Sequence, residues 1–247
     1  MPKLRWYPQQ QFTFCVNPKE HSTKWKWLKF TNNVEQESYI KNRVNRIISK
    51  EPETINWLKT FKKNSIFFDV GANIGIYALY SAKMIENKVY AFEPHAANYI
   101  NLLDNISRNK LHNIQAFPVA IGKNNVNLTT LAVPNMLEGV SDNVVGSSKE
   151  YYHGCVEFSL DYLVSKKLLP QPDHIKIDVD GYEDKVVDGA KNTLSQCESI
   201  LIEVDTEQHD KIKSTIIEMG FREKDSIKMN KHEESQLFNL FFIKDKK

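Results

Sequence analysis

The stretch Ser65-Ile66-Phe67-Phe68-Asp69-Val70-Gly71-Ala72-Asn73-Ile74-Gly75 decides the fold. Ile66 to Val70 is an apolar run of strand length, broken only by Asp69, and reads as a buried strand. A glycine turn closes it, and residues 76–84 read as a helix. Strand, glycine turn and helix open a parallel α/β sheet, in which ligands sit beyond the carboxyl ends of the strands. Gly71 is expected to allow a tight turn and close approach of a ligand. Gly75 is expected to let the helix pack close to the strand.

The alternation continues downstream. Val89-Tyr90-Ala91-Phe92 is a second strand, and Tyr99, Leu102, Leu103 and Ile106 fall on one face of a helix. Residues 114–121 contain a third strand, Ile175-Lys176-Ile177 a fourth and residues 199–204 a fifth. The fourth is followed by a helix carrying Val186, Val187, Ala190 and Leu194. The fifth is followed by one carrying Ile212, Ile216 and Met219, which Gly220 terminates. Phe221-Arg222 and residues 238–243 are expected to close the sheet as an antiparallel hairpin. The order implies a Rossmann-like sheet covered by helices on both faces. Between Pro134 and Cys155 the periodicity is lost, so a long irregular segment is expected there. It carries Tyr151, Tyr152 and His153, which are candidate sugar contacts or solvated loop residues.

Upstream the chain changes character. All four tryptophans, Trp6, Trp25, Trp27 and Trp57, precede Lys62. Phe12, Phe14 and Val16 alternate as in a short strand, and residues 37–50 show helical spacing. Pro52 opens a further short helix. The chain therefore divides into an aromatic extension, residues 1–50, and an α/β domain, residues 51–247. The extension is expected to add core or form a contact in a homodimer, or else to form a lid against an acceptor.

Composition excludes several classes. Lys plus Arg is 33 against Asp plus Glu 31, a net charge of +2, without the basic excess of a nucleic-acid protein. No apolar run is long enough to span a membrane, and the first residues lack a secretory core. Cys15, Cys155 and Cys197 are far apart, an odd set that fits a reducing cytoplasm.

The chemistry gathers at the predicted strand ends. Glu93 ends the second strand, roughly 20 residues beyond the glycine loop, where a carboxylate accepts ribose hydroxyls. Two donors fit a ribose, NAD and S-adenosylmethionine. The loop lacks the dinucleotide glycine spacing, and its leading Asp69 repels pyrophosphate but suits a cationic sulfonium. Asp178 ends the fourth strand and Glu203 the fifth, so both are expected in one cleft. One carboxylate acts as base, or both hold the cofactor's amino group, or, ranked last, they bind Mg²⁺. His209 follows the fifth strand as a reserve base. His174 precedes the fourth and is expected to be structural.

DVGANIG at 69–75, AFEP at 91–94, AIG at 120–122, SLDYL at 159–163, IKIDVDGYEDKVVDGA at 175–190 and LIEV at 201–204 occur in one order. Together they resemble the FkbM-like family of S-adenosylmethionine-dependent methyltransferases, over roughly residues 52–243. The resemblance implies a seven-stranded methyltransferase sheet, S-adenosylmethionine as donor, and a hydroxyl acceptor on a glycan, lipid or small metabolite. Carried over by motif, it implies donor contacts from Asp69, Gly71, Asn73, Gly75, Glu93, Pro94, Ala120 and Asp178. A nucleotide-linked oxidoreductase and a non-catalytic cofactor-binding module are the competing readings. A nucleic-acid amino methyltransferase would carry an Asn/Asp-Pro-Pro-aromatic tetrad where this chain has Asp178-Val179-Asp180-Gly181.

Overall fold

The computed structural model describes residues 10–15, 27–32, 51–133, 144–146, 151–224, 227–228 and 237–244. Trp6, Val16, Trp25, the helix expected over 37–50 and most of the irregular stretch 134–150 lie outside the described residues. A two-stranded antiparallel ribbon, β1 (Gln10–Cys15) and β2 (Trp27–Asn32), comes first. α1 (Pro52–Leu58) follows, with its proline in the first turn as expected.

The domain then alternates through β3 (Ile66–Val70), α2 (Ile76–Tyr80), β4 (Lys88–Phe92), α3 (Ala96–Arg108) and β5 (Ile114–Phe117). After β5 the chain leaves the main sheet through β6 (Ala120–Ile121), β7 (Val126–Val133), β8 (Val144–Val145) and β9 (Tyr151–Phe158). It returns through α4 (Leu160–Ser165), β10 (His174–Ile177), α5 (Glu183–Asp188), α6 (Lys191–Leu194), β11 (Ser199–Asp205) and α7 (Thr206–Glu218). It closes with β12 (Phe221–Glu223), β13 (Ile227–Lys228) and β14 (Leu237–Lys244).

Seven strands of the main sheet run in the order β12-β14-β11-β10-β3-β4-β5, with β13 also on the outer side of β14. β3, β4, β5, β10 and β11 are parallel, and β14 enters antiparallel beside β11. This is the expected sheet with its closing antiparallel strands. β3 is the middle one of the five parallel strands, and β2 runs beside α3 on the flank.

Alternation along the strands splits the core. Phe67, Leu79, Ala91 and Leu201 bury with Trp57 and Phe61 on one face. Phe68, Val70, Ile175, Ile177, Ile200 and Ile202 bury on the other. α1 is fixed to its face by three polar contacts. Trp57 Nε1 donates to Ser199 Oγ at 2.8 Å, Asn239 Nδ2 donates to Glu53 Oε1 at 3.0 Å, and Tyr77 Oη donates to Glu51 Oε2 at 2.7 Å. His174 stacks on Phe61 at 3.7 Å and shares Ser199 Oγ at 2.8 Å, the structural role expected of it.

Three local readings differ from expectation. Tyr151, Tyr152 and His153 stand on β9, paired with Val133, Ala132 and Leu131 of β7, rather than on a loop. Long polar and small residues mask the alternation there, and a partner strand supplies the order. The expected apolar face of α3 is partly polar: Leu103 is 42% exposed, while Asn98, Asn101 and Asn105 are buried. Asn105 Nδ2 donates to the Ile74 carbonyl at 2.9 Å and to Asn101 Oδ1 at 2.7 Å, so the amides pair instead of contacting water. The helix over 76–84 is α2 followed by a π-helical turn at Ser81–Ile85. No helix among the described residues is long and apolar enough to cross a membrane.

Candidate functional site

The carboxyl ends of β3, β4, β10 and β11 carry the expected acids. The glycine loop leaves β3 through three left-handed residues, Gly71 (φ 81), Asn73 (φ 51) and Gly75 (φ 88). Gly71 and Ala72 donate backbone hydrogen bonds to the Phe92 carbonyl, both at 3.0 Å, tying the loop to β4. The reason for glycine at 71 is closer than a ligand. A Cβ there would lie 1.8 Å from the Asp178 carbonyl oxygen, so β10 itself occupies the space. At Gly75 a Cβ would lie 2.4 Å from Leu102 Cδ1 and 2.6 Å from Leu79 Cδ1, so the close contact is with α3 and the body of α2. The loop is thus built by its neighbours before any ligand enters.

Glu93 is 3% exposed and braces the same loop. Its Oε2 accepts from the Asn73 N–H at 2.7 Å and its Oε1 from the His95 N–H at 2.9 Å. Burial raises its carboxyl to about 7 against the pull of those N–H donors. Pro94 follows it, and Ala120 is buried at the start of β6, hydrogen-bonded in register with Glu157 of β9.

The register puts the remaining acids on one face. Asp69 of β3 stands opposite Lys176 of β10, and Lys176 opposite Leu201 of β11, so Asp178 and Glu203, each two residues further, extend the same row. Asp69 is 1% exposed, and its Oδ2 is buried without a hydrogen-bond partner. Burial raises its carboxyl to about 6, partly offset by Lys176 and augmented by Asp178. Burial, then the Glu51 carboxylate, pushes the Tyr77 phenol well up, with Asp178 and Glu203 adding to it. The structure therefore brings Asp69, Asp178 and Glu203 into one electrostatic neighbourhood. His209 makes other contacts: its ring lies 4.9 Å from Phe238 and its Nδ1 2.8 Å from Asp210 Oδ1.

Sequence reading missed Glu51, Tyr77, Lys176 and Glu183. Lys176 is 1% exposed, and its Nζ lies 2.6 Å from Asp178 Oδ2 and 5.0 Å from the Tyr77 ring centre. A lysine between Ile175 and Ile177 was the available signal, since lysine is almost never fully buried unless paired. Glu183 Oε1 accepts from the Val179 and Gly181 N–H groups at 3.1 and 3.2 Å, holding the turn after β10 where Asp180 is left-handed (φ 55).

The donor set suits a cationic nucleoside. The buried Glu93 carboxylate follows the second parallel strand, an orphaned carboxylate oxygen sits on Asp69, and further acids line the row toward β11. No group of three or more His, Cys, Asp or Glu among the described residues is arranged to hold a metal ion.

The model of the methyltransferase FkbM domain matches residues 69–223, starting at Asp69. The chain is similar to the hexuronic acid methyltransferase AglP of Haloferax volcanii, 26% identical over 147 residues. That match covers 60% of this chain and 59% of the relative. Among solved structures, the precorrin-6y C5,15-methyltransferase of Geobacter metallireducens shares the fold with a TM-score of 0.52 at 12% identity, covering 81% of this chain and 92% of that one. The M. capricolum TrmK, solved with S-adenosyl-homocysteine, shares it with a TM-score of 0.50 at 14% identity, covering 79% and 68%.

Proposed function

Because the chain belongs to the methyltransferase FkbM domain family, we propose that it transfers a methyl group from S-adenosylmethionine to a hydroxyl of a glycan, glycolipid or small hydroxylated metabolite. The observation that carries the reading is Glu93, a buried carboxylate fixed by the Asn73 and His95 N–H groups at the end of the second parallel strand. A carboxylate there accepts ribose hydroxyls, while the backbone of Gly71, Asn73 and Gly75 borders the nucleoside and Pro94 and Ala120 its base. Asp69 and Asp178 face the cationic end. The donor, when bound, supplies a methyl group made electrophilic by the sulfonium.

The chain's own part is to orient an alcohol and accept its proton. Asp178 is assigned that role, with Glu203 and then His209 behind it. The glycan class draws support from the Haloferax relative, whose name specifies a hexuronic acid. A Mg²⁺ role for the acids is not favoured. Residues 51–247 form the donor-binding domain in this reading and residues 1–50 an acceptor-side extension, in a cytoplasmic protein that can pair as a homodimer.

A product mass screen with labelled S-adenosylmethionine against hydroxylated sugars and lipids tests the reaction. Methylated oxygen is expected; methylation only at nitrogen or carbon, or tighter binding of NAD than of the donor, overturns the reading. Asp178→Asn should lower turnover by about 10² to 10⁴ with the fold intact, the usual value of base assistance. Activity abolished by EDTA and restored by Mg²⁺ would assign the acids to a metal instead. A loss of donor affinity with turnover preserved at saturation would assign Asp178 to cofactor binding.

A further inference from the structure

The central strand β10 is apolar on one face, through Ile175 and Ile177, and carries a fully buried ammonium on the other. Taking a lysine out of water costs several kcal/mol after relaxation, and an apolar side chain of similar size often serves stability as well. Stability alone is therefore a weak reason for Lys176. Its surroundings are specific. The ammonium bonds Asp178 Oδ2 at 2.6 Å on one side and lies 5.0 Å from the centre of the Tyr77 ring on another. The Tyr77 hydroxyl donates in turn to Glu51 Oε2, which also accepts from Thr54 Oγ1 at 3.3 Å. Burial drives the Lys176 ammonium toward neutrality, but Asp178, Glu51 and Asp69 outweigh it and hold the group charged, well above its ordinary value.

Asp178 needs such an anchor. It stands where the strand ends and the chain turns through the left-handed Asp180 and Gly181. Its carboxylate is 27% exposed, at the boundary of the packed core rather than within it. The lysine beneath holds one oxygen from the buried side, which fixes how the carboxylate meets the cleft. We propose that Lys176 is the positioning residue for Asp178: it aims that carboxylate at the transferred methyl group and is itself braced by Tyr77 and Glu51. The proposal rests on the donor assignment made above and adds a residue to it.

Binding of S-adenosylmethionine labelled with ¹³C at the methyl group gives a test that needs no acceptor. The resonance of the bound methyl is compared in wild type, Asp178→Asn, Lys176→Met, Lys176→Arg and the Lys176→Met/Asp178→Asn pair. Asp178→Asn and Lys176→Met should both displace the resonance, the double variant should coincide with Asp178→Asn, and Lys176→Arg should return most of the way to wild type. A resonance unmoved in Lys176→Met, or a double displacement equal to the sum of the singles, overturns the proposal. Failure of wild type to bind the donor defeats the functional reading instead, so the two failures are separable. Lys176→Met leaves Glu51, Asp69 and Asp178 without their shared cation and can fail to fold. The wild-type protein labelled with ¹⁵N-lysine then decides. The Lys176 ammonium resonance should differ between complexes with S-adenosylmethionine and with S-adenosylhomocysteine, which differ in the methyl group and its charge. Identical positions overturn the proposal.

Discussion

At the residue scale, two positions, one in the glycine loop and one bracing it, separate building the site from using it. Gly71 faces the Asp178 carbonyl, 1.8 Å from where a Cβ would stand, and has φ 81. Even Gly71→Ala must push β10 away, so it should destabilise the protein by roughly 3 kcal/mol or more, among the larger single-residue effects. Urea unfolding without ligand reads this; an unchanged midpoint would show that β10 yields easily. Glu93→Ala is expected to behave differently. It removes the acceptor of the Asn73 and His95 N–H groups and, in the proposed function, the ribose contact, in a protein that still folds. Donor affinity should fall by about 1.5 to 3 kcal/mol, the range for hydrogen bonds to a charged group. Calorimetry with S-adenosylmethionine checks it, and unaltered affinity would free Glu93 from the role.

At the scale of elements, α1 belongs with the sheet. Glu51 reaches the acid cluster through Tyr77, and Trp57 reaches Ser199 at the opposite end of the strands. The preceding segment is separable in principle. Removing residues before about Gln36 should leave donor affinity within about threefold and lower turnover on the true acceptor, if binding remote from the donor is used at the reacting oxygen. Unchanged turnover would rule out an acceptor role for the segment. The elements were unequally legible in sequence. β3, β4, β10 and β11 announced themselves because strands buried on both faces leave continuous apolar runs with acids at their ends. The sheet β6-β9-β7-β8 did not, because Thr129, Thr130, His153 and Gly154 blur its alternation and its pairing joins distant segments. Asp69, Glu93, Asp178 and Glu203 could be found as acids ending strands. Lys176 could not be matched to its partners, because that requires the register of β3 against β10. Glu51 was hidden for a similar reason, since only the antiparallel path of α1 across the sheet brings it to Tyr77.

At the scale of the whole molecule, buried acids tie stability to pH. Glu93 is raised from 4.5 to about 7, so its contribution is complete below about pH 4.5 and is lost as pH rises through about 7. Asp69 and Glu183 act in the same sense, toward about 6 and about 7, while His174, lowered to about 4, acts in the opposite one. A comparison with Glu93→Gln isolates one group. Wild type should lose more stability than the variant between pH 5 and pH 8, by up to roughly 3 kcal/mol at 1.36 kcal/mol per unit. Parallel losses in denaturant titrations at the two pH values would show that Glu93 ionises freely in the native state. The placement of β3 has another consequence, for the order in which the molecule assembles. Its neighbour β4 is synthesised soon after it, but β10 arrives only after the whole β6-β9-β7-β8 excursion, and the Ile66–Asp173 contact spans 107 residues. Closing so long a loop is entropically costly before its contacts form, so this pairing belongs late in folding. The glycine loop takes its shape against the Asp178 carbonyl. A chain emerging from the ribosome therefore carries its glycine loop early, yet cannot give that loop its final shape until β10 has been made and docked.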